Sequence, residues 1–159
     1  MKPTRTTTDW ILEVVSVAAV IAVFVIVATH WSQIPRSRVP RFRPPGALVP
    51  WSAKNALWIL MAINTGAYVL LTAAGYYQKL LNIPAEIDRD SPQVRQLLFS
   101  MMLILKTAMT LLSVYLVWAV VNIGMGRHLG ISPRFLTIFV IAIPVPLILY
   151  TSKLLRYRK

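Results

Sequence analysis

Two ionisable side chains, Glu13 and Lys106, stand inside otherwise apolar stretches of the sequence. A charge at membrane depth is costly, and it marks an ion path, a proton relay or a pairing site. Glu13 lies about one turn into the first apolar run. Lys106 lies some ten residues into the third, about 14 Å along a helix axis. Both runs start on the same side of a bilayer, and helical side chains lean toward the N-terminus. Lys106 is therefore expected to reach toward the side where Glu13 sits. Either the two meet, directly or through water, or each reaches the interface separately; the residue types leave both open. One acid is too few for a relay built from several carboxylates or histidines. His30 and His128 fall near the ends of runs, without nearby acids or cysteines, and make a poor metal site. No cofactor is expected; axial ligation of a pigment or haem by His30 or His128 is the remote alternative to a plain interfacial role. The chain has no cysteine, which removes thiolate chemistry and disulfides. It carries no nucleophile elbow, HExxH or P-loop. Ser16, Ser100 and Ser113 have no base at a useful spacing and are expected to bond to helix carbonyls or neighbouring helices. An enzyme is not expected.

The elements that carry these residues are long and apolar. A span needs about 20 mostly apolar residues to cross roughly 30 Å of hydrocarbon. Four candidates meet this, at about residues 10–30, 55–77, 93–123 and 133–155. Trp10 and Trp31 bracket the first at interface positions. Its apolar run is longer than a signal peptide's h-region and no small-x-small site follows, so it reads as a retained helix. Ser91-Pro92 and Ser132-Pro133 are start signals for the third and fourth helices. Gly124 and Gly126 end the third. Pro144 and Pro146 fall inside the fourth, where they remove backbone donors and predict a kink, from packing or as a hinge. Ala62 and Gly66 offer the second helix one small-residue contact patch. No internal repeat is present. The expected fold is all-α: a polytopic integral membrane protein built as one four-helix bundle over residues 1–159.

Composition agrees with that architecture. The chain is 57% hydrophobic and 14% charged, with 17 Lys+Arg against 5 Asp+Glu. The cations sit between and beside the apolar runs, where lipid headgroups lie, rather than on a soluble basic face; nucleic acid is not an expected partner. With four spans, both termini share one side. Nine basic residues fall on that side and seven on the other, with Lys106 inside a span. The positive-inside rule then favours cytoplasmic termini, although the arginine-rich first loop pulls the other way.

That first loop, residues 31–54, contains Pro35, Pro40, Pro44, Pro45 and Pro50 and only one glycine. Its prolines limit chain entropy and let it hold a shape without regular structure. Arg36, Arg38, Arg41 and Arg43 crowd into eight positions around Phe42, and offer two-pronged donors to carboxylate or phosphate. The loop resembles that of a bacterial membrane domain of unknown function, whose hallmark reads roughly LP-x-x-IP-x-HF, then a Gly, then W-x-x-K. Ile34-Pro35, Val39-Pro40, Gly46, Trp51 and Lys54 carry the resemblance, with Asn82-Ile83-Pro84 and Leu105-Lys106 further on. The family's members of this size look like four-helix membrane proteins, and the domain also occurs in toxin-immunity and signalling proteins of sporulating bacilli. The hallmark His is missing here: Phe42 stands near its place, between Arg41 and Arg43.

These readings converge on a non-catalytic membrane protein. It is expected to be an accessory subunit of a larger membrane complex, or an immunity or signalling protein as the resemblance implies. Its contact surface is the loop: Arg36, Arg38, Arg41, Phe42, Arg43, Trp51 and Lys54. Membrane lipids and other membrane subunits are the expected partners. The rival is a small transporter or channel using Glu13 and Lys106; a polar cavity near the midplane would favour it.

Overall fold

The computed structural model describes residues 5–34, 53–77, 91–125, 127 and 133–155. The described residues form helices and their ends: α1 (Thr7–His30), α2 (Ala53–Tyr76), α3 (Pro92–Gly124), α4 (Pro133–Ala142) and α5 (Pro144–Leu155). Four helical stretches are long and apolar enough to cross a membrane: α1, α2, α3 and a fourth, Thr137–Leu155, made from α4 and α5.

Local sequence sets the ends. Thr6 caps α1: its hydroxyl accepts from the Asp9 amide at 3.2 Å, and Asp9 Oδ2 accepts from the Thr6 amide at 2.9 Å. Such a reciprocal box satisfies two donors that a helix start cannot pair by itself. α1 therefore begins three residues before Trp10, one turn earlier than the apolar run indicates. Pro92 opens α3, where its missing N–H costs nothing. After Gly124 the Met125 amide still donates to the Val121 carbonyl, at 3.0 Å, and the Arg127 amide to Asn122, at 2.9 Å. The expected kink in the fourth stretch is a break at Ile143. Ile143 N–H still reaches the Phe139 carbonyl at 3.1 Å. Pro144 and Pro146 have no N–H to donate one turn back, and a residue preceding proline is pushed out of the helical region. The chain restarts with Pro144 as the first residue of α5.

α3 is the hub. In its most apolar 18-residue window 44% of residues are buried, against 6% in the fourth stretch. It packs against α1, α2 and α5, while α1 and α2 touch each other lightly. α1 and α3 run parallel, since Glu13 meets Lys106 and Ser16 meets Thr107. α2 runs antiparallel, with Gly75 beside Phe99 and Met102 and Ala53 beside Gly124. One apolar cluster joins Val23, Val27, Ile34, Ala53, Leu57, Val117 and Val121. A Cβ on Gly124 would lie 3.2 Å from Ala53 Cβ and 3.3 Å from Ile34 Cγ2, so glycine lets three segments close there. A second cluster, Val94, Leu98 and Leu154, ties the end of α5 to the start of α3. The Tyr115 and Phe135 rings, stacked at 3.6 Å, tie α4 to α3. Ala62 is exposed and a Cβ on Gly66 would meet nothing within 4 Å, so this small-residue patch faces away from the bundle instead of joining its helices. The outward faces of α1, α2, α4 and α5 carry Ile21, Phe24, Ile63, Leu70, Val140 and Ile148, all more than two-fifths exposed.

Candidate functional site

The buried face of α3 changes character halfway along: between the two apolar clusters it carries Lys106, Thr107, Thr110 and Ser113. Lys106 is the centre of this zone. Its ammonium donates to Glu13 Oε2 at 2.7 Å and to Thr72 Oγ1 at 3.2 Å. It also lies 4.7 Å from the Tyr68 ring centroid, over the electron-rich face. The Tyr68 hydroxyl donates to Glu13 Oε1 at 2.9 Å, so each carboxylate oxygen has its own donor. The Lys106 side chain is 3% exposed and that of Glu13 is 19% exposed. The group thus joins α1, α2 and α3 through one closed ion pair. The structure brings together the two residues that the sequence picks out, at the side toward which a lysine on α3 leans.

The residues on α2 have no comparable signal. Nothing in the sequence fixes which turn of α2 faces Lys106; Tyr68 and Thr72 sit there because antiparallel packing on α3 places them there. The Thr107 and Ser16 hydroxyls lie 2.8 Å apart; one donates to the other, which in turn donates to a carbonyl of its own helix, as Ser113 does. Asn64 is fully buried, and its amide oxygen and nitrogen have no hydrogen-bond partner among the described residues.

One correction concerns Asp9. Glu13 and Lys106 are not the only ionisable groups inside the bundle, because Asp9 is 4% exposed. Its carboxylate takes bonds from the Thr6 amide, from Gln96 Nε2 at 3.3 Å and from Ser100 Oγ at 3.3 Å. The start of α1 also supplies a favourable dipole. The sequence carries the signal: Thr6-x-x-Asp9 before an apolar run is a capping box. Placing the first span at Trp10 puts Asp9 outside it.

The loop set is visible only at its edge. Arg36, Arg38, Arg41, Phe42, Arg43 and Trp51 lie outside the described residues. Lys54 is described, and its ammonium packs over Trp31 at 4.8 Å, with Trp31 edge-on to Trp58 at 5.9 Å. Ile34, where the loop leaves α1, is 1% exposed and held in the core. His30 turns back on its own helix, with Nδ1 2.9 Å from the Ile26 carbonyl and 3.0 Å from Thr29 Oγ1. His128 lies outside the described residues. Among the described residues no three His, Asp or Glu side chains are grouped to hold a metal.

The fold and these contacts define a class: an all-helical protein with four helices able by length and composition to cross a membrane, tied by a buried ion pair. No family model, no curated protein and no solved structure matches the chain.

Proposed function

We propose that the chain is a non-catalytic integral membrane protein whose four helices span a bacterial cytoplasmic membrane with both termini in the cytoplasm. It acts as an accessory subunit of a larger membrane complex, or in the immunity and signalling manner that its first loop suggests. Arg36, Arg38, Arg41, Phe42, Arg43, Trp51 and Lys54 form the contact surface. The observation that carries this reading is the closed Glu13–Lys106 pair. Its charges are satisfied by each other, by Thr72 and by Tyr68, an arrangement suited to tying helices together rather than to passing an ion. The broad apolar outer faces suit lipid and neighbouring subunits. Purification in mild detergent, followed by identification of whatever accompanies the protein, tests it. A stoichiometric membrane partner is expected.

A second reading, a small transporter or channel, draws on the polar face of α3 and on Asn64, which is buried without a partner. Proteoliposomes containing the purified protein separate the two readings. Flux that Glu13→Gln abolishes would replace the accessory reading with the transport one.

A further inference from the structure

The start of α3 stands beyond the ends of its neighbours. Asp9 on the first turn of α1 meets Gln96 and Ser100, and Tyr76 at the end of α2 packs edge-on to Phe99. Residues 92–95 of α3 therefore extend about one turn past both, some 5 Å at 1.5 Å per residue. The described segment beside them is the end of α5, held by Leu154 against Val94 and Leu98. Between these two helix ends lies a wide-open surface cavity of about 450 Å³ lined by Pro92, Gln93, Gln96, Leu97, Ser100, Tyr150 and Lys153.

The lining is amphipathic and has one sign of charge. Leu97, Pro92 and the Tyr150 ring give apolar walls. Among the described lining residues Lys153 alone is charged, and its ammonium stands 5.8 Å from the Tyr150 ring centroid. Gln96 gives its amide N–H to Asp9, and its carbonyl oxygen is buried without a partner. The cavity thus offers a cation for an anion, beside amide-bearing and apolar surface. We propose that it holds one phosphatidylglycerol molecule from the cytoplasmic leaflet: the phosphate at Lys153, the glycerol headgroup beside the exposed Gln93, and the upper acyl chain along Leu97. Charge complementarity favours this lipid over a zwitterionic one, because the described lining residues offer a cation and no carboxylate for a headgroup ammonium. The proposal rests on the membrane-spanning reading.

The experiment keeps the two separate. Membranes containing the protein are first washed with alkaline carbonate; retention in the bilayer fraction, for wild type and Lys153→Gln alike, shows spanning independently of the cavity. The purified protein is then mixed with micelles carrying either dioleoylphosphatidylglycerol or dioleoylphosphatidylcholine, and bound lipid is counted by native mass spectrometry. One phosphatidylglycerol is expected to survive where phosphatidylcholine does not. Lys153→Gln should lower its affinity about fivefold, the weight of one interfacial cation, and Lys153→Arg should restore it. Arg134→Gln, which removes the same charge from α4, should leave binding unchanged. Equal retention of the two lipids overturns the proposal. So does an equal loss in the Arg134 and Lys153 variants, which would make the attraction that of the chain's net charge. No retention of either lipid overturns it as well, leaving a cavity that the chain fills itself.

Discussion

Removing either member of the Glu13–Lys106 pair should destabilise the bundle, and by unequal amounts. Breaking a buried pair costs about 3–5 kcal/mol when the remaining charge is stranded. The two sides differ in how stranded they would be. Lys106→Met leaves Glu13, which is 19% exposed and keeps the Tyr68 hydroxyl. Glu13 keeps that donor and stands about one turn inside the span, near the headgroups, so the cost should fall to about 2 kcal/mol, below the fully buried range. Glu13→Leu leaves an ammonium 3% exposed, with Thr72 and the face of Tyr68 as its only remaining partners from this cluster. That variant should cost about 4 kcal/mol, toward the upper end. The double variant strands nothing and packs two apolar side chains in the same space. It should lose about 3 kcal/mol against a sum of about 6, less than Glu13→Leu alone, giving a coupling energy of about 3 kcal/mol, at the top of the range seen for residues in one network. The assay is reversible unfolding in mixed micelles, followed by the fluorescence of the five tryptophans. A coupling below about 0.5 kcal/mol would refute the reasoning, since that is the additivity expected of independent sites. Lys106→Met proving costlier than Glu13→Leu would refute the burial argument specifically.

Other perturbations have definite signs. The double variant Arg41→Lys, Arg43→Lys should lower recovery of a co-purifying partner, because lysine keeps the charge and loses the two-pronged geometry; unchanged recovery would reduce the loop to a headgroup cover. Gly124→Val should cost about 1–3 kcal/mol by forcing Ile34 and Ala53 apart, whereas Gly66→Ala, with open space around it, should be neutral or stabilising by up to about 1 kcal/mol in the same unfolding assay. Asn64→Leu removes two buried polar atoms that have no described partner, and should raise stability by about 1–3 kcal/mol; a loss of stability would show that the amide is paired in the working protein.

The sequence is legible where a residue's meaning is local. Apolar run length finds the four candidate spans, and Ser-Pro and glycine punctuation places the ends of α3 within a residue of Pro92 and Gly124. The proline pair locates the break at Ile143 because lost donors act on the nearest turn. The approach of Lys106 to Glu13 is allowed by two local facts, a shared starting side and the N-terminal lean of helical side chains, and the packing of α1 on α3 selects it over separate snorkelling. What depends on how one helix is set against another is hidden. Tyr68 and Thr72 meet Lys106 only through the antiparallel packing of α2 on α3, and no pattern in the sequence states that register. Ala62 and Gly66 show the same gap from the other direction: small residues allow close approach without saying which surface approaches. Asp9 is a different case, because its capping box is a local signal that apolar run length outweighs.

The hub position of α3 also sets a timetable for synthesis. The bond from Lys106 to Glu13 links residues 93 positions apart. At roughly 5–20 residues per second a ribosome needs roughly 5–20 s to make that stretch. During this interval α1 already exists with its carboxylate unpaired, and α2 offers it little surface, because α1 and α2 hardly touch. The Tyr68 hydroxyl is the one early partner from this cluster that the finished structure provides. The first half of the protein is therefore a pair of helices waiting for a third, and the arrival of α3 is the event that neutralises Glu13 and locks both.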